Sequence, residues 1–146
     1  MADQKESCVK PSKGPIGIPK AESGEIPQTI QKEDYMIAKV RKPAPDFEAS
    51  AYVDGGFKNI TLSEFKGQWV VLCFYPGDFT FVSPTELSAV AYKYDEIKAL
   101  GVQILAMSTD SRFVHKIWQE NELSKMVPGG VPFPMLSDAG GLIGKV

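Results

Sequence analysis

Few residues of this sequence could carry out chemistry, and the first pair to consider is a hydroxyl and a base. Ser83 and His115, the single histidine, could act together as the nucleophile and general base of a hydrolase. Phe81 and Thr85 occupy the places where the Gly-x-Ser-x-Gly motif of many hydrolases has glycine. The sequence therefore disfavours a serine hydrolase.

Neither the two cysteines nor the paired glycines indicate a second reactive or binding site. Cys8 and Cys73 lie far apart, and with one histidine they do not make a typical zinc site. Cys73 falls inside an apolar run and is interpreted as a core residue. Cys8 is interpreted as an exposed thiol, with a disulfide or mixed disulfide as the alternative. Gly129-Gly130 and Gly140-Gly141 are predicted to form turns rather than a phosphate loop.

The elements around Ser83 would give it a special position. An unbroken apolar run from Trp69 to Tyr75 predicts a central strand covered on both faces. Ser83-Pro84-Thr85-Glu86 then begins a helix with capping-box spacing, which by itself would explain both Ser83 and Glu86. Ligands of α/β sheets gather at the carboxyl ends of strands, and helix N-termini offer free N–H groups to anions. The junction between residues 75 and 83 is therefore the predicted site.

The rest of the chain alternates between strand and helix patterns. Strands are predicted over residues 47–53, 57–60, 102–107 and 135–136, and helices over residues 61–67, 83–101, 112–122 and from 139 onwards. In the third helix, Val114, Ile117 and Trp118 are expected to face the core. This alternation predicts an α/β layered sheet with right-handed crossovers. A sheet that ends at residues 135–136 would leave an exposed edge.

The segment from Phe74 to Leu87 resembles the active-site signature of the peroxiredoxins, of the two-cysteine, alkyl hydroperoxide reductase C type. That signature has a proline, three residues, a threonine, two residues and the peroxide-attacking cysteine, usually followed by Pro-Thr-Glu. Pro76, Thr80 and residues 84–86 match it, whereas Ser83 stands in the place of the cysteine. Segments 42–47, 108–111, 115–118 and 134–138 also resemble the family, so the similarity covers about residues 38–146.

The resemblance implies a thioredoxin-like α/β fold and a thiol-dependent peroxidase that reduces hydrogen peroxide and organic hydroperoxides. It implies an antioxidant oxidoreductase with a redox-active centre and no metal, haem or flavin cofactor. Ser83 would mark the peroxidatic position, Thr80 would align the peroxide, Pro76 would shield the pocket, and Glu86 would support the site. The implied partners are thioredoxin or a dedicated disulfide reductase as electron donor, and further copies of the chain in homodimers that join into decamers.

Two departures from the family pattern change these expectations. A serine hydroxyl is not ionised at neutral pH without a strong base and cannot form a sulfenic acid, so the chain as written is expected to be inactive. Ser83 is either an introduced substitution or a natural loss of the cysteine. The alternative function is therefore a redox-dead structural or chaperone-like subunit. The family's last strands, final helix, active-site arginine and resolving cysteine are expected to be missing after Val146.

Composition sets the remaining expectations. The chain has 146 residues, 43% of them hydrophobic, which suits one packed domain, and its net charge of −2 favours neither a nucleic-acid nor a membrane partner. Neither an export signal nor a membrane span of about 18 apolar residues is visible in the sequence. Residues 1–34, rich in Lys, Glu, Ser, Gly and Pro, predict a flexible extension before a domain over 35–146. With two cysteines, a reducing cytoplasmic location fits best.

Overall fold

The computed structural model describes residues 37–146. The predicted flexible extension, residues 1–34, and Cys8 within it lie outside the described residues, so both interpretations stay predictions. The domain predicted from residue 35 onwards is described from residue 37. Over residues 37–146, no helix has the length and apolar character needed to cross a membrane.

The described residues form one five-stranded mixed sheet and several short helices. The strands, in the order in which they pair across the sheet, are β2, β1, β5, β4 and β3. Their bounds are β1 Glu48–Val53, β2 Gly56–Thr61, β3 Trp69–Phe74, β4 Val102–Ser108 and β5 Met135–Ser137. The α-helices are α1 Ser83–Tyr92, α2 Tyr94–Ala99, α3 Arg112–Trp118 and α4 Ser124–Met126, with a 3₁₀ turn at Leu62–Phe65 and a π-helical turn at Gln119–Leu123.

The first two strands form the predicted hairpin. Val53 pairs with Gly56, so the connection is the two-residue turn Asp54-Gly55. Both turn residues have a positive φ, 51° and 76°, which is the conformation of the tight turns that join twisted antiparallel strands. β1 also pairs antiparallel with β5, whereas β5, β4 and β3 run parallel. The parallel pairing of β3 with β4 requires a crossover, which α1 and α2 provide.

The core lies on both faces of the sheet, and the residues of β4 divide between them. Ile104 and Ala106 belong to one cluster, with Trp118 and Phe133, while Leu105 and Met107 belong to the other. Alternate residues of a strand point to opposite faces, so a run of five consecutive buried residues, from position 104 to 108, identifies β4 as a strand covered on both sides.

The prediction that residues 69–75 form a covered central strand is wrong. β3 pairs with β4 alone among the described residues and forms one edge of the sheet. Trp69 is 79% exposed and Phe74 is 57% exposed. β5 is not the edge that the sequence predicts, because it lies at the centre of the sheet between β1 and β4. An apolar run indicates that a strand packs against hydrophobic residues. It does not indicate on which side of the sheet those residues lie.

Two helix predictions also need correction. The helix predicted over residues 112–122 is α-helical to Trp118 and continues as the π-helical turn, and Ile117, expected in the core, is 49% exposed. His115 and Trp118 are the fully buried residues of α3 instead. The helix predicted from residue 139 is absent within residues 37–146, where Gly140 and Gly141 take positive φ values of 95° and 68° and form turns.

Candidate active site

The predicted junction between β3 and α1 is formed by a loop over residues 75–82. α1 begins at Ser83 itself, with Pro84 in its first turn, and Val82 is the capping residue. The carbonyl oxygen of Val82 accepts hydrogen bonds from the N–H groups of Thr85 and Glu86, at 3.0 and 3.2 Å. No side chain caps this end, so the predicted capping box of Ser83 and Glu86 is not formed. The Ser83 side chain is thereby left free to interact with the loop.

Thr80 and Ser83 are in direct contact. The Thr80 Oγ1 lies 2.8 Å from the Ser83 Oγ and 2.9 Å from the carbonyl oxygen of Gly77. A hydroxyl has one hydrogen to donate and can also accept. Thr80 can therefore donate to Gly77 while it accepts from Ser83, or donate to the atom at position 83. The second arrangement would serve an anion at that position.

The four residues predicted for the site differ in exposure. Ser83 is 2% exposed, whereas Thr80 beside it is half-buried. Pro76 is exposed where the loop leaves β3. Glu86 lies in the first turn of α1 with an exposed side chain, where a negative charge interacts favourably with the helix dipole. The structure thus brings Thr80 and Ser83 together and places Pro76 and Glu86 at the surface on either side.

A buried polar network that sequence patterns hardly indicate lies behind this loop. The side chains of Asp78 and His115 are both 0% exposed, and the Asp78 Oδ2 lies 2.7 Å from the His115 Nδ1. The Tyr75 hydroxyl donates to the Asp78 Oδ1 at 2.8 Å. The His115 Nε2 lies 3.1 Å from the carbonyl oxygen of Leu136 on β5. The one available signal is the three-residue spacing of His115 and Trp118, which places both on one face of α3.

This network also decides against a serine hydrolase. Both ring nitrogens of His115 are engaged, by Asp78 and by the Leu136 carbonyl, so neither is directed to Ser83 as a base. Burial, followed by the nearby charge of Asp78, raises the pKa of the Tyr75 hydroxyl far above its usual range. Tyr75 is therefore a neutral hydrogen-bond donor to Asp78 at neutral pH.

Aromatic side chains support the same loop. Phe79 has a φ of 56°, which is uncommon for a residue other than glycine, and its ring centroid lies 6.2 Å from that of Trp118. The Tyr75 and Trp118 ring centroids are 5.7 Å apart. Backbone strain of this kind persists where surrounding contacts overcome it, and Trp118 supplies such a contact here. Phe81, in contrast, is 99% exposed.

Burial disfavours the reactive, ionised form of the Cys73 thiol. Cys73 is free and half-buried in β3, and burial raises the pKa of its thiol. The thiolate, not the thiol, attacks alkylating reagents, so a raised pKa leaves less of the reactive form at neutral pH. Within residues 37–146, no group of three or more His, Cys, Asp or Glu side chains is placed to share a metal ion.

We expect iodoacetamide at neutral pH to label Cys73 several-fold more slowly than a free cysteine, and the labelling rate to climb steadily on going to alkaline pH, because the thiolate fraction grows. Peptide mass spectrometry would follow Cys73 separately from Cys8. The same chain in concentrated urea is the control, since unfolding removes the burial. Equal rates in the folded and unfolded chain at neutral pH would contradict the protection of Cys73.

The mixed sheet with its crossover helices α1 and α2 defines an α/β protein of thioredoxin-like fold. The model of the AhpC/TSA family matches residues 40–145, and the chain therefore belongs to this family, the peroxiredoxins of the alkyl hydroperoxide reductase C type.

Individual relatives agree with this assignment. A selenocysteine-containing peroxiredoxin, PrxU, of Peptoclostridium acidaminophilum is 63% identical over 110 residues, which cover 75% of this chain and 54% of that protein. Peroxiredoxin-2 of Macaca fascicularis is 46% identical over 101 residues, covering 69% of this chain and 51% of that protein. The reduced 2-Cys peroxiredoxin of Plasmodium vivax superposes with a TM-score of 0.66 at 38% identity, over 71% of this chain and 65% of that one. The chain thus spans about half the length of the curated relatives it matches.

Proposed function

We propose that this chain belongs to a thiol-dependent peroxidase whose reactive atom lies at position 83. The observation that carries the proposal is the 2.8 Å contact between the Thr80 and Ser83 hydroxyls at the first turn of α1. The substrates are hydrogen peroxide and organic hydroperoxides. With serine at position 83 the chain has the geometry of this site without its nucleophile, so we propose that this form is inactive.

The reaction requires sulfur, or its heavier relative selenium, at position 83. A thiolate attacks one peroxide oxygen and the O–O bond breaks, which gives a sulfenic acid and, after one proton is taken up, water or an alcohol. The sulfur is oxidised by two electrons and the peroxide is reduced by two. A second thiol then condenses with the sulfenic acid to form a disulfide and water, and a dithiol reductant restores both thiols. Serine can take no part in this cycle.

The environment of position 83 favours a negative charge there. Position 83 lies in the first turn of α1, where the positive end of the helix dipole lowers the pKa of a cysteine. Thr80 could turn its single hydrogen from the Gly77 carbonyl to the sulfur. This replaces a neutral hydrogen bond, worth about 0.5–1.5 kcal/mol, by one to a charged acceptor, worth about 1.5–3 kcal/mol.

The remaining roles extend the same proposal. Pro76 would bound the entrance on the side of β3, and Glu86 would support the site from the first turn of α1. The electron donor would be thioredoxin or a dedicated disulfide reductase, in the cytoplasm, and the subunits would form homodimers and decamers. Membership of the peroxiredoxins supports these roles. The redox-dead structural subunit has no observation in its favour beyond Ser83 itself.

The test is a single-turnover peroxide assay on the Ser83→Cys chain. We expect this variant to consume hydrogen peroxide stoichiometrically and to form a sulfenic acid at position 83 that dimedone traps. Ser124→Cys is the matched control, because it places a new thiol in an exposed helical segment and retains Cys8 and Cys73. The parent chain and the control should react no faster than free cysteine. Equal rates for Ser83→Cys and Ser124→Cys in the folded, full-length protein would refute the proposed function.

A further inference from the structure

A continuous chain of hydrogen bonds runs from position 83 to the turn after β4. The Ser83 Oγ lies 2.8 Å from the Thr80 Oγ1, which lies 2.9 Å from the Gly77 carbonyl oxygen. That carbonyl shares its peptide group with the backbone N–H of Asp78, which donates to the Asp110 Oδ2 at 2.7 Å. Hydrogen bonds through one hydroxyl and one peptide group therefore join Asp110 to the proposed reactive atom.

The hydrogens of this chain can all point in the same direction. A backbone N–H only donates, carbonyl and carboxylate oxygens only accept, and a hydroxyl has one hydrogen to donate. When Thr80 donates to the Gly77 carbonyl, its oxygen accepts from position 83, and every hydrogen then points toward Asp110. Hydrogen bonds aligned in this way polarise and strengthen one another. The carboxylate at the end of the chain therefore favours the form of position 83 that donates, which is the protonated form.

An ionised atom at position 83 requires the opposite orientation of Thr80. A thiolate has no hydrogen to donate, so the Thr80 hydroxyl has to turn its hydrogen from the Gly77 carbonyl to the sulfur. This rotation costs more when the carbonyl is a stronger acceptor. The N–H of the same peptide group donates to a carboxylate, which makes the carbonyl a stronger acceptor. Asp110 thus opposes the dipole of α1, which favours the thiolate.

The fold places Asp110 where it can make this contact. Its backbone N–H donates to the Ser108 Oγ at 3.2 Å. Ser108 is the last residue of β4, is 3% exposed, and its carbonyl accepts from the backbone N–H of Asp138 at 2.8 Å. A side chain at position 77 would place its Cβ 3.0 Å from the Asp110 Oδ2, so glycine at this position gives the carboxylate room to reach the loop.

The other charged and titratable side chains around this loop are those of Tyr75, Asp78, Glu86, Arg112, His115 and Asp138. The Tyr75 hydroxyl and the His115 ring both contact the carboxylate of Asp78. The Asp138 carboxylate accepts from two backbone N–H groups, Arg112 lies over two aromatic rings, and Glu86 is exposed. Within the part of the chain that the structure describes, none of these side chains is hydrogen-bonded to the hydroxyls of the chain or to its terminal carboxylate.

We propose that Asp110 is a positioning residue of the peroxidase site: through one peptide group it orients the Thr80 hydroxyl, and so sets how readily the nucleophile at position 83 ionises. Asp110 does not touch the reacting atom and acts through Thr80. A thiol is a weaker donor than a hydroxyl but takes the same place at the end of the chain. This inference rests on the proposed function for its catalytic consequence, whereas the ionisation of a thiol at position 83 can be measured whether or not it reacts with peroxide.

The first measurement is the titration of the new thiol in the folded Ser83→Cys protein, by alkylation at a series of pH values and peptide mass spectrometry. Asparagine at position 110 can still accept from the N–H of Asp78 but carries no charge. Asp110→Asn should therefore lower the pKa of the thiol and raise the ratio of thiolate to thiol at a fixed pH by about threefold to tenfold. An unchanged or lower ratio would overturn the proposal.

Asp95→Asn is the matched control for this titration. It removes an equal charge from an exposed position in the first turn of α2. Surface charges are screened by salt and by water, so the ratio of thiolate to thiol at position 83 should stay as it is in the Ser83→Cys protein. An increase as large as that of Asp110→Asn would show that net charge alone is responsible, and the proposal would be wrong.

The second measurement separates the hydrogen-bond chain from the bare charge of Asp110. Thr80→Val removes the hydroxyl in the middle of the chain. In the Ser83→Cys, Thr80→Val protein, Asp110→Asn should change the ratio of thiolate to thiol by less than about twofold, because the coupling between the two residues passes through the lost hydroxyl. The same increase with and without Thr80 would contradict the proposal, since a charge that acts through space needs no hydroxyl.

The third measurement uses the unmodified chain and does not depend on the folding of any variant. The backbone N–H of Asp78 donates to a carboxylate oxygen at 2.7 Å, which is a short, charge-assisted hydrogen bond. We expect its amide proton to resonate far downfield in NMR spectra and to exchange slowly with water. An Asp78 amide that exchanges as fast as an exposed loop amide would show that Asp110 does not hold this peptide group.

The catalytic consequence is a shift of the pH–rate profile with hydrogen peroxide. Because the thiolate is the attacking form, Asp110→Asn should move the rising limb of the profile of the Ser83→Cys protein to lower pH, by the same factor as the thiol titration. A lower rate at every pH with an unmoved limb would mean that Asp110 only stabilises the fold. If the Ser83→Cys protein does not react, the proposed function fails, while the thiol titration still decides whether Asp110 controls ionisation at position 83.

Discussion

Thr80→Val in the Ser83→Cys chain is expected to slow the reaction with hydrogen peroxide by about 100- to 1,000-fold, the usual cost of removing one donor from a site that stabilises developing charge. Valine has nearly the shape of threonine but has no hydroxyl. The change therefore keeps the shape of the side chain and removes the hydroxyl that lies 2.8 Å from the atom at position 83 and 2.9 Å from the Gly77 carbonyl oxygen. Stopped-flow kinetics with excess peroxide would measure the rate.

A neighbouring threonine provides the control for this experiment. The Thr85 hydroxyl donates to the Val82 carbonyl at 2.7 Å, in the same turn of α1, but its side chain is exposed. Thr85→Val should therefore leave the rate within a few-fold, and Thr80→Ser, which restores a hydroxyl, should recover most of it. If Thr80→Val and Thr85→Val react at equal rates, Thr80 does not act on the reacting atoms.

The order and bounds of most elements could be predicted from local patterns. The turn Asp54-Gly55 indicates the first hairpin, and the alternation of apolar residues indicates β1, because these signals depend on residues that are close in the sequence. The position of β3 could not be predicted in the same way. Whether an apolar strand is central or at an edge depends on which other strands pair with it, and among residues 37–146 β4 alone does so.

The site shows the same division between local and distant information. Thr80 and Ser83 are three residues apart at a predicted helix start, so their contact follows from local structure. Asp78 and His115 are 37 residues apart and meet because α3 packs against the loop and against β5. Nothing in the spacing of these two residues indicates that they meet. In the sequence, His115 is a candidate base for Ser83. In the folded chain, both ring nitrogens of His115 contact other partners.

The two tryptophans of the chain should differ sharply in what they contribute to stability. Trp118 is 0% exposed, contacts Tyr75 and Phe79, and donates its indole N–H to Glu122 at 2.8 Å. Trp118→Ala should therefore lower the free energy of unfolding by about 3–5 kcal/mol, through lost burial and the cavity left behind. Since small domains have only about 5–15 kcal/mol of stability, this is a large share of the total.

Trp69→Ala is the matched control for this prediction. The Trp69 side chain is 79% exposed on the sheet edge, so its removal should cost under about 1 kcal/mol. Urea unfolding followed by far-ultraviolet circular dichroism would measure both variants. Equal losses would show that the aromatic support of the loop at Trp118 is not a main source of stability, because an exposed ring of the same size would then contribute as much as a buried one.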